Sequence, residues 1–215
     1  MPDGSLIPQR AFRPVAVVLS LAYLAGAVGL QSPVLAPYFK LLVPLNLLAS
    51  LLLLLGFHTD WRRSFLFYCA LAVLVGFWVE VLGVRTGYVF GQYAYGDTLG
   101  WKLFDVPLVI GGNWLMLTYC FGTVCDRLPL PVYLKTAIAA SLMVLLDVFI
   151  EPVAVRLDFW TWFGQPIPLR NYVGWWVVSI TLLAIWYGLA FHKQNRLAPL
   201  LLILQFLFFI SLNFV

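Results

Sequence analysis

The sequence predicts an all-α protein, a polytopic membrane bundle of about seven transmembrane helices. Of its 215 residues, 63% are hydrophobic and only 10% are charged. The mean hydropathy of +0.95 excludes an ordinary soluble domain. The apolar residues also come in long runs instead of alternating with polar ones. Such runs predict membrane helices, because a helix satisfies its own backbone hydrogen bonds inside a bilayer.

Seven apolar runs reach or approach the ~17–25 residues that a helix needs to cross a membrane. Residues 1–13 precede the first run and are predicted to be a cytoplasmic leader, and residues 14–215 a single integral membrane domain. Arginines stand before the first run as in a signal peptide, but no cleavage motif follows it, so a retained helix is expected. The predicted spans are residues 14–31, 40–57, 64–83, 106–124, 132–150, 172–191 and 198–214.

The basic residues predict the orientation of these spans. With an odd number of crossings the termini lie on opposite sides, and eight of the 13 Lys and Arg residues fall on the side of the N-terminus. Positive residues collect on the cytoplasmic side, which predicts a cytoplasmic N-terminus in the cytoplasmic membrane of a prokaryote. The net charge of +4 is explained by the basic residues that set the orientation of the spans. No basic stripe carries a nucleic-acid-binding motif, so we expect no nucleic-acid partner.

Residue types that commonly bind metals are poorly placed for it. Cys69, Cys120 and Cys125 show no Cys-x-x-Cys spacing, and His58 and His192 have no partner at ligand spacing. No glycine-rich phosphate loop or zinc-protease motif occurs. We therefore expect neither a metal nor a cofactor.

Two apolar runs end on similar residues, which predicts an internal repeat. The two copies are Glu80–Arg85 followed by Phe-Gly-Gln at 90–92, and Glu151–Arg156 followed by Phe-Gly-Gln at 163–165. Spans three and five run in the same direction, so spans 3–4 and 5–6 form a parallel repeat about an axis near the membrane normal. Chance similarity in an aromatic-rich sequence is the alternative. A true repeat places the two glutamates across a shared cavity.

Carboxylates inside apolar helices mark the predicted active site. Each costs about 2.5–3.5 kcal/mol to insert, so it should face a cavity or a partner. Asp147 and Glu151 are four residues apart and share a helical face, and Glu80 lies near the outer end of its span. The predicted supporting residues, which reach the same membrane face, are Arg85, Arg156, Tyr88, Tyr93, Asp97, Asn113, Trp114, Arg170 and Asn171.

These residue types suit proton-initiated chemistry on an apolar polyene. Close carboxyl groups in a low dielectric do not all ionise, so one can act as general acid and another as base. Asp147 lies deepest and is the predicted acid, with Glu151 or Glu80 as the base. Arg85 and Arg156 would hold the glutamates ionised, although simple anchoring of the helix ends by Glu–Arg pairs is the alternative. Aromatic faces could stabilise a carbocation.

The central four spans, about residues 75–175, resemble the membrane carotenoid hydratase family, which includes the CruF-type carotenoid 1,2-hydratases and the bisanhydrobacterioruberin hydratases. The segments that carry the resemblance are Glu80–Tyr95, Val106–Trp114 and Asp147–Pro152. The resemblance implies a cofactor-independent hydro-lyase that adds water across the terminal C1–C2 double bond of an acyclic, lycopene-like carotenoid. The implied partners are that carotenoid, the lipid bilayer and other membrane enzymes of the carotenoid pathway.

Two other functions remain open from the residues alone. A polytopic carotenoid cyclase begins with the same protonation but captures the cation internally. A membrane transporter or a carotenoid-binding scaffold also tolerates buried charge and a repeat. A transporter should, however, carry polar groups in both halves of the membrane, and here the inner half has few.

Overall fold

The computed structural model describes residues 4–164 and 166–214, and within them seven α-helices form one bundle. The helices are α1 Phe12–Gln31, α2 Ala36–Gly56, α3 Arg63–Thr86, α4 Val109–Asp126, α5 Val132–Arg156, α6 Leu169–Gly188 and α7 Leu197–Asn213. A single 3-10 turn, Gln9–Ala11, leads into α1. The predicted all-α helical bundle is confirmed.

Four of these helical segments are long and apolar enough to cross a membrane by length and composition. They are Gln9–Gln31, Ala36–Gly56, Arg63–Thr86 and Val132–Arg156. The last helix, Leu197–Asn213, is also apolar but shorter. α1 begins at Phe12, inside the predicted leader, of which residues 1–3 lie outside the described residues.

The two helices that carry the predicted acids are longer than expected. α3 runs to Thr86 and ends at Gly87, whose left-handed φ of 66° terminates it. α5 continues through Pro152 to Arg156, although proline cannot donate the usual helical hydrogen bond. Glu80 and Glu151 therefore lie within helices, more than a turn before the ends.

Helix α4 occupies the centre of the bundle. It packs against α2, α3, α5, α6 and α7, and 13 of its 18 residues are buried. Glycines allow this close packing, as in many membrane bundles. A Cβ on Gly111 would lie 2.7 Å from the Val73 carbonyl oxygen, and one on Gly122 would lie 2.6 Å from Trp186 Nε1. The polar side chains that α4 carries are thereby brought to the middle of the protein.

The two long loops at one end of the bundle join in a small antiparallel ribbon. Strand β1, Tyr93–Tyr95, pairs with strand β4, Trp160–Trp162, so that Ala94 lies opposite Thr161 at the centre. In the first loop, β2, Lys102–Leu103, pairs with β3, Val106–Pro107. These short strands were not predicted. Their pairing does fit the expectation that both loops emerge on the same face.

The ribbon bears on the sequence alignment of the predicted repeat. Antiparallel pairing of β1 and β4 has a local two-fold axis, as any antiparallel pair does, so the relation between α3–α4 and α5–α6 stays a prediction. The Phe-Gly-Gln segments are not equivalent, however. Phe90 precedes β1 and is buried, whereas Phe163 follows β4 and is exposed. Gln165, the last residue of the second segment, lies outside the described residues.

Candidate active site

A cavity of about 590 Å³ lies inside the bundle at the ribbon end. Helices α1, α2 and α7 form one wall, mostly from leucine, alanine and phenylalanine side chains. The opposite wall is formed by α3, α4, α5, α6 and the ribbon, and it carries the carboxyl groups. The polar lining of that wall includes Glu80, Asn113, Glu151 and Asn171, together with Tyr93, Tyr95, Trp114, Trp160 and Trp162.

Glu80 is held by three donors. Its Oε2 accepts hydrogen bonds from the hydroxyls of Tyr93 at 2.5 Å and Tyr95 at 2.8 Å. Its Oε1 accepts one from Trp114 Nε1 at 3.1 Å. The side chain is 3% exposed, so these protein groups replace water around the carboxylate.

The two tyrosines are arranged as donors. Tyr93 and Tyr95 are alternate residues of β1, so both side chains point to the same face of the ribbon. Burial, and then the charge of the adjacent Glu80 carboxylate, raise the pKa of both phenols well above the ordinary value. Both therefore keep their protons and continue to donate to Glu80.

Glu151 is held in a similar way from the other strand of the ribbon. Its Oε2 accepts hydrogen bonds from Trp162 Nε1 at 2.8 Å and Trp160 Nε1 at 3.1 Å. Its Oε1 accepts one from Asn171 Nδ2 at 2.8 Å. Two indoles and an amide thus fix a second buried carboxylate in the same cavity wall.

Asp147 belongs to this group but does not line the cavity. The Nδ2 of Asn171 also donates to Asp147 Oδ2 at 2.8 Å, so one amide bridges two carboxyl groups. Asp147 is fully buried, and its Oδ1 has no hydrogen-bond partner among the described residues. Glu151, one helical turn away, lines the cavity. Asp147 therefore lies behind the cavity lining, which differs from the expectation that it lines the pocket, and its role as the acid stays a prediction.

Aromatic rings surround the carboxylates. Trp114 and Trp175 stack across α4 and α6 with centroids 4.6 Å apart, and Tyr93 lies 5.1 Å from Trp162. Of these rings, Trp162 and Trp175, with Tyr95 and Trp160, were missed in the sequence. For Tyr95, Trp160 and Trp162 the available signal was the alternation Tyr-x-Tyr and Trp-x-Trp, which is typical of a strand that presents one face. Trp175 lies in α6 and carries no such signal.

The arginines do not hold the glutamates. Arg85 lies over the ring of Phe104 at 5.3 Å, and Arg156 donates to the carbonyl of Leu212. Within residues 4–164 and 166–214, the ion pairs are Arg62–Asp60, Lys102–Asp97 and Lys135–Asp126. The predicted Glu–Arg pairs are wrong, because the ribbon side chains together with Trp114 and Asn171 donate to the glutamate oxygens instead.

Three further predicted residues lie away from the cavity. Tyr88 is 80% exposed. Asp97 forms a surface ion pair with Lys102, and Arg170 donates to the Gly87 carbonyl at 3.4 Å. The structure brings together the remainder of the predicted set, namely Glu80, Glu151, Tyr93, Asn113, Trp114 and Asn171, with Asp147 behind them. Among the described residues, no group of three or more His, Cys, Asp or Glu side chains could hold a metal ion.

Most of the chain matches a known family. Residues 35–215 match the model described as carotenoid biosynthesis protein. Bisanhydrobacterioruberin hydratase of Haloarcula japonica is 31% identical over 199 residues, which cover 83% of this chain and 64% of the relative. The chain thus spans slightly less than two thirds of that relative's length. No solved structure matches the chain.

Proposed function

The chain belongs to the carotenoid biosynthesis protein family, and we propose that it is a hydratase that adds water to a carbon–carbon double bond of a carotenoid. The name of the relative, bisanhydrobacterioruberin hydratase, supports a hydration. We further propose the terminal C1–C2 double bond of an acyclic, lycopene-like end group as the reacting bond. The product is then a tertiary alcohol, formed by a cofactor-independent hydro-lyase.

One observation carries this proposal: Glu80 and Glu151 line the same largely apolar cavity. An apolar cavity suits a polyene end group, and its volume lies in the range of ordinary ligand sites. Two fixed carboxyl groups supply what a hydration needs, one group to give a proton and one to accept it. A transporter or a carotenoid-binding scaffold does not require such a pair, whereas a cyclase shares the protonation step and differs in how the cation is captured.

The first step is protonation of the alkene from the Glu151 side. Asp147 and Glu151 are bridged by one amide, and such a carboxyl pair holds one proton between its members. Glu151 touches the cavity, so it donates the proton to C2. The π electrons form the new C–H bond and leave a tertiary cation at C1. Asp147 is then a positioning residue that acts through Asn171 and Glu151, instead of the direct acid.

The second step is capture of the cation by water. A lone pair of the water oxygen forms the bond to C1, and Glu80 accepts the proton that this oxygen loses. That proton returns to the Asp147–Glu151 pair to close the cycle, so the net change is the addition of one water. The faces of Trp114, Trp175 and Tyr93 surround the site and can stabilise the cation through their π systems.

The membrane setting is consistent with an apolar substrate. We propose that the protein lies in the cytoplasmic membrane of a prokaryote with its N-terminus in the cytoplasm, as the distribution of basic residues predicts. The carboxylate end of the cavity is then in the outer half of the bilayer. Other membrane enzymes of the carotenoid pathway are the proposed partners.

Expression in a lycopene-accumulating bacterium tests the function. The pigments should gain the mass of one or two waters, and a Glu80→Gln/Glu151→Gln double variant should leave lycopene unchanged. An isomer of unchanged mass with cyclic ends would instead identify a cyclase. Unchanged pigment with the folded wild-type protein would favour a transporter or a carotenoid-binding scaffold.

A further inference from the structure

The cavity contains a second polar group that the proposed chemistry does not use. It lies on the wall formed by α1, α2 and α7 and comprises Tyr23, Asn46, Ser50 and Gln205. The hydroxyl oxygens of Tyr23 and Ser50 are 3.3 Å apart, and the side chains of Asn46 and Gln205 lie beside the Tyr23 hydroxyl. Tyr23, Asn46 and Gln205 line the cavity. We call these four residues the neutral cluster.

The neutral cluster is not satisfied by the protein alone. Gln205 is 3% exposed, yet its Oε1 has no hydrogen-bond partner among the described residues. Its Nε2 makes a long contact of 4.0 Å with the sulfur of Met116. Buried polar groups are nearly always paired, and one left unpaired calls for an explanation such as a bound water.

The chemistry of the cluster defines its ligand. Within the described lining, the side chains that α1, α2 and α7 contribute include no charged group. A phosphate or carboxylate therefore has no counter-charge there. Hydroxyl and amide groups both donate and accept, which matches a neutral molecule that also does both. Water fits, and its usual buried site offers two to four polar partners.

We propose that Tyr23, Asn46 and Gln205 bind the water that is added to the substrate. This inference rests on the proposed hydratase function. The wall formed by α1, α2 and α7 is otherwise apolar, so this cluster is where that wall can hold a reactant water across the cavity from the carboxyl groups. The bound water forms its C–O bond with the cation at C1, and the resulting oxonium gives its extra proton to Glu80, which lines the same cavity.

The proposal separates water capture from protonation, and deuterium distinguishes the two steps. In D₂O, deuteron addition at C2 followed by loss of a proton from the same carbon returns labelled substrate without hydration. Gln205→Leu and Tyr23→Phe should lower hydrated product about five- to tenfold, as expected for the loss of about one hydrogen bond. Deuterium in the recovered carotenoid should stay the same or rise.

A matched control comes from Ser179, a buried hydroxyl that has no hydrogen-bond partner among the described residues and does not line the cavity. Ser179→Ala should leave the ratio of hydration to exchange unchanged. If Gln205→Leu fails to fold, Tyr23→Phe, which keeps the aromatic ring and removes only the hydroxyl, tests the water site by itself.

The possible outcomes are distinct. An unchanged ratio in folded variants, or a parallel fall of hydration and exchange, would overturn the water site while leaving the hydratase function intact. A wild-type protein that neither hydrates nor exchanges would instead refute the proposed function itself.

Discussion

The Glu80 and Glu151 sites are built alike, but their donors differ in kind. Each glutamate lies near the end of its helix, in α3 or α5, and accepts two hydrogen bonds from alternate residues of one ribbon strand. At Glu80 the donors are tyrosine hydroxyls, and at Glu151 they are tryptophan indoles. A hydroxyl can accept as well as donate, whereas an indole N–H only donates. Only the Glu80 site can therefore pass a proton onward through its donors.

The two sites also differ one helical turn earlier. Asp147 precedes Glu151 by four residues, and the residue that precedes Glu80 by four is Gly76. A Cβ on Gly76 would lie 2.4 Å from Trp114 Cβ, so glycine lets Trp114 reach Glu80. The Glu151 site thus has a second acid beside it, whereas the Glu80 site has a packed indole. This difference suggests an acid site at Glu151 and a base site at Glu80.

The largest expected effect tests that division directly. Glu151→Gln should lower the rate of hydration by about 10²–10⁴-fold, because it removes the proton donor. In the D₂O assay, it should also abolish deuterium exchange. Glu80→Gln should lower hydration severely but retain exchange, since the cation still forms. If Glu80→Gln lost exchange while Glu151→Gln kept it, the acid and base assignments would be reversed.

Substitution of Asp147 should lower the rate of hydration less than substitution of Glu151. Asp147→Asn leaves Glu151 in the cavity but removes its carboxyl neighbour, so we expect the rate to fall about 10–100-fold and its pH profile to shift. Asp97→Asn, a surface change outside the cavity, is the control and should leave the rate of hydration and its pH profile nearly unchanged. An Asp147→Asn variant as inactive as Glu151→Gln, with an unshifted profile in its residual activity, would argue for direct protonation by Asp147.

Substitution of Gly76 tests the close packing of Trp114 against α3 at the Glu80 site. Gly76→Ala should destabilise the protein by about 1–3 kcal/mol, because the new methyl group meets the Trp114 side chain. Gly188→Ala is the matched control, since nothing lies within 4 Å of its Cβ position. Thermal unfolding in detergent measures both. Equal stability of the two variants would contradict the tight contact between α3 and α4.

The donors themselves provide the next comparison. Tyr93→Phe and Trp162→Phe each remove one hydrogen bond to a buried carboxylate, an interaction worth about 1.5–3 kcal/mol. Each should lower the rate of hydration about 10- to 100-fold, since each ~1.4 kcal/mol is a factor of ten. Tyr93→Phe should act on water capture and spare deuterium exchange, whereas Trp162→Phe should lower both. If both variants changed hydration and deuterium exchange in the same way, the donors would not distinguish the two glutamate sites.

Much of this arrangement could be predicted because its signals are local. Long apolar runs identified the helices, and carboxylates inside those runs identified Glu80, Asp147 and Glu151. The ribbon escaped prediction because its strands have three residues each, and β1 and β4 lie far apart in the sequence. Its donors were missed for the same reason. Helical spacing placed Asp147 and Glu151 on one face, but which of them lines the cavity depends on the packing of other helices, which the local sequence does not show.

The smallest expected effect concerns Arg85, where proximity in sequence misled the prediction. Five residues along a helix correspond to a rotation of about 140° beyond a full turn, so Arg85 points away from Glu80 and lies over Phe104. Arg85→Ala should therefore change the rate of hydration less than about twofold and lower stability by at most about 1 kcal/mol, the size of an exposed cation–π contact. Steady-state hydration rates and thermal unfolding of the same preparation measure both. A loss as large as that of Glu80→Gln would restore the arginine as the group that keeps the base ionised.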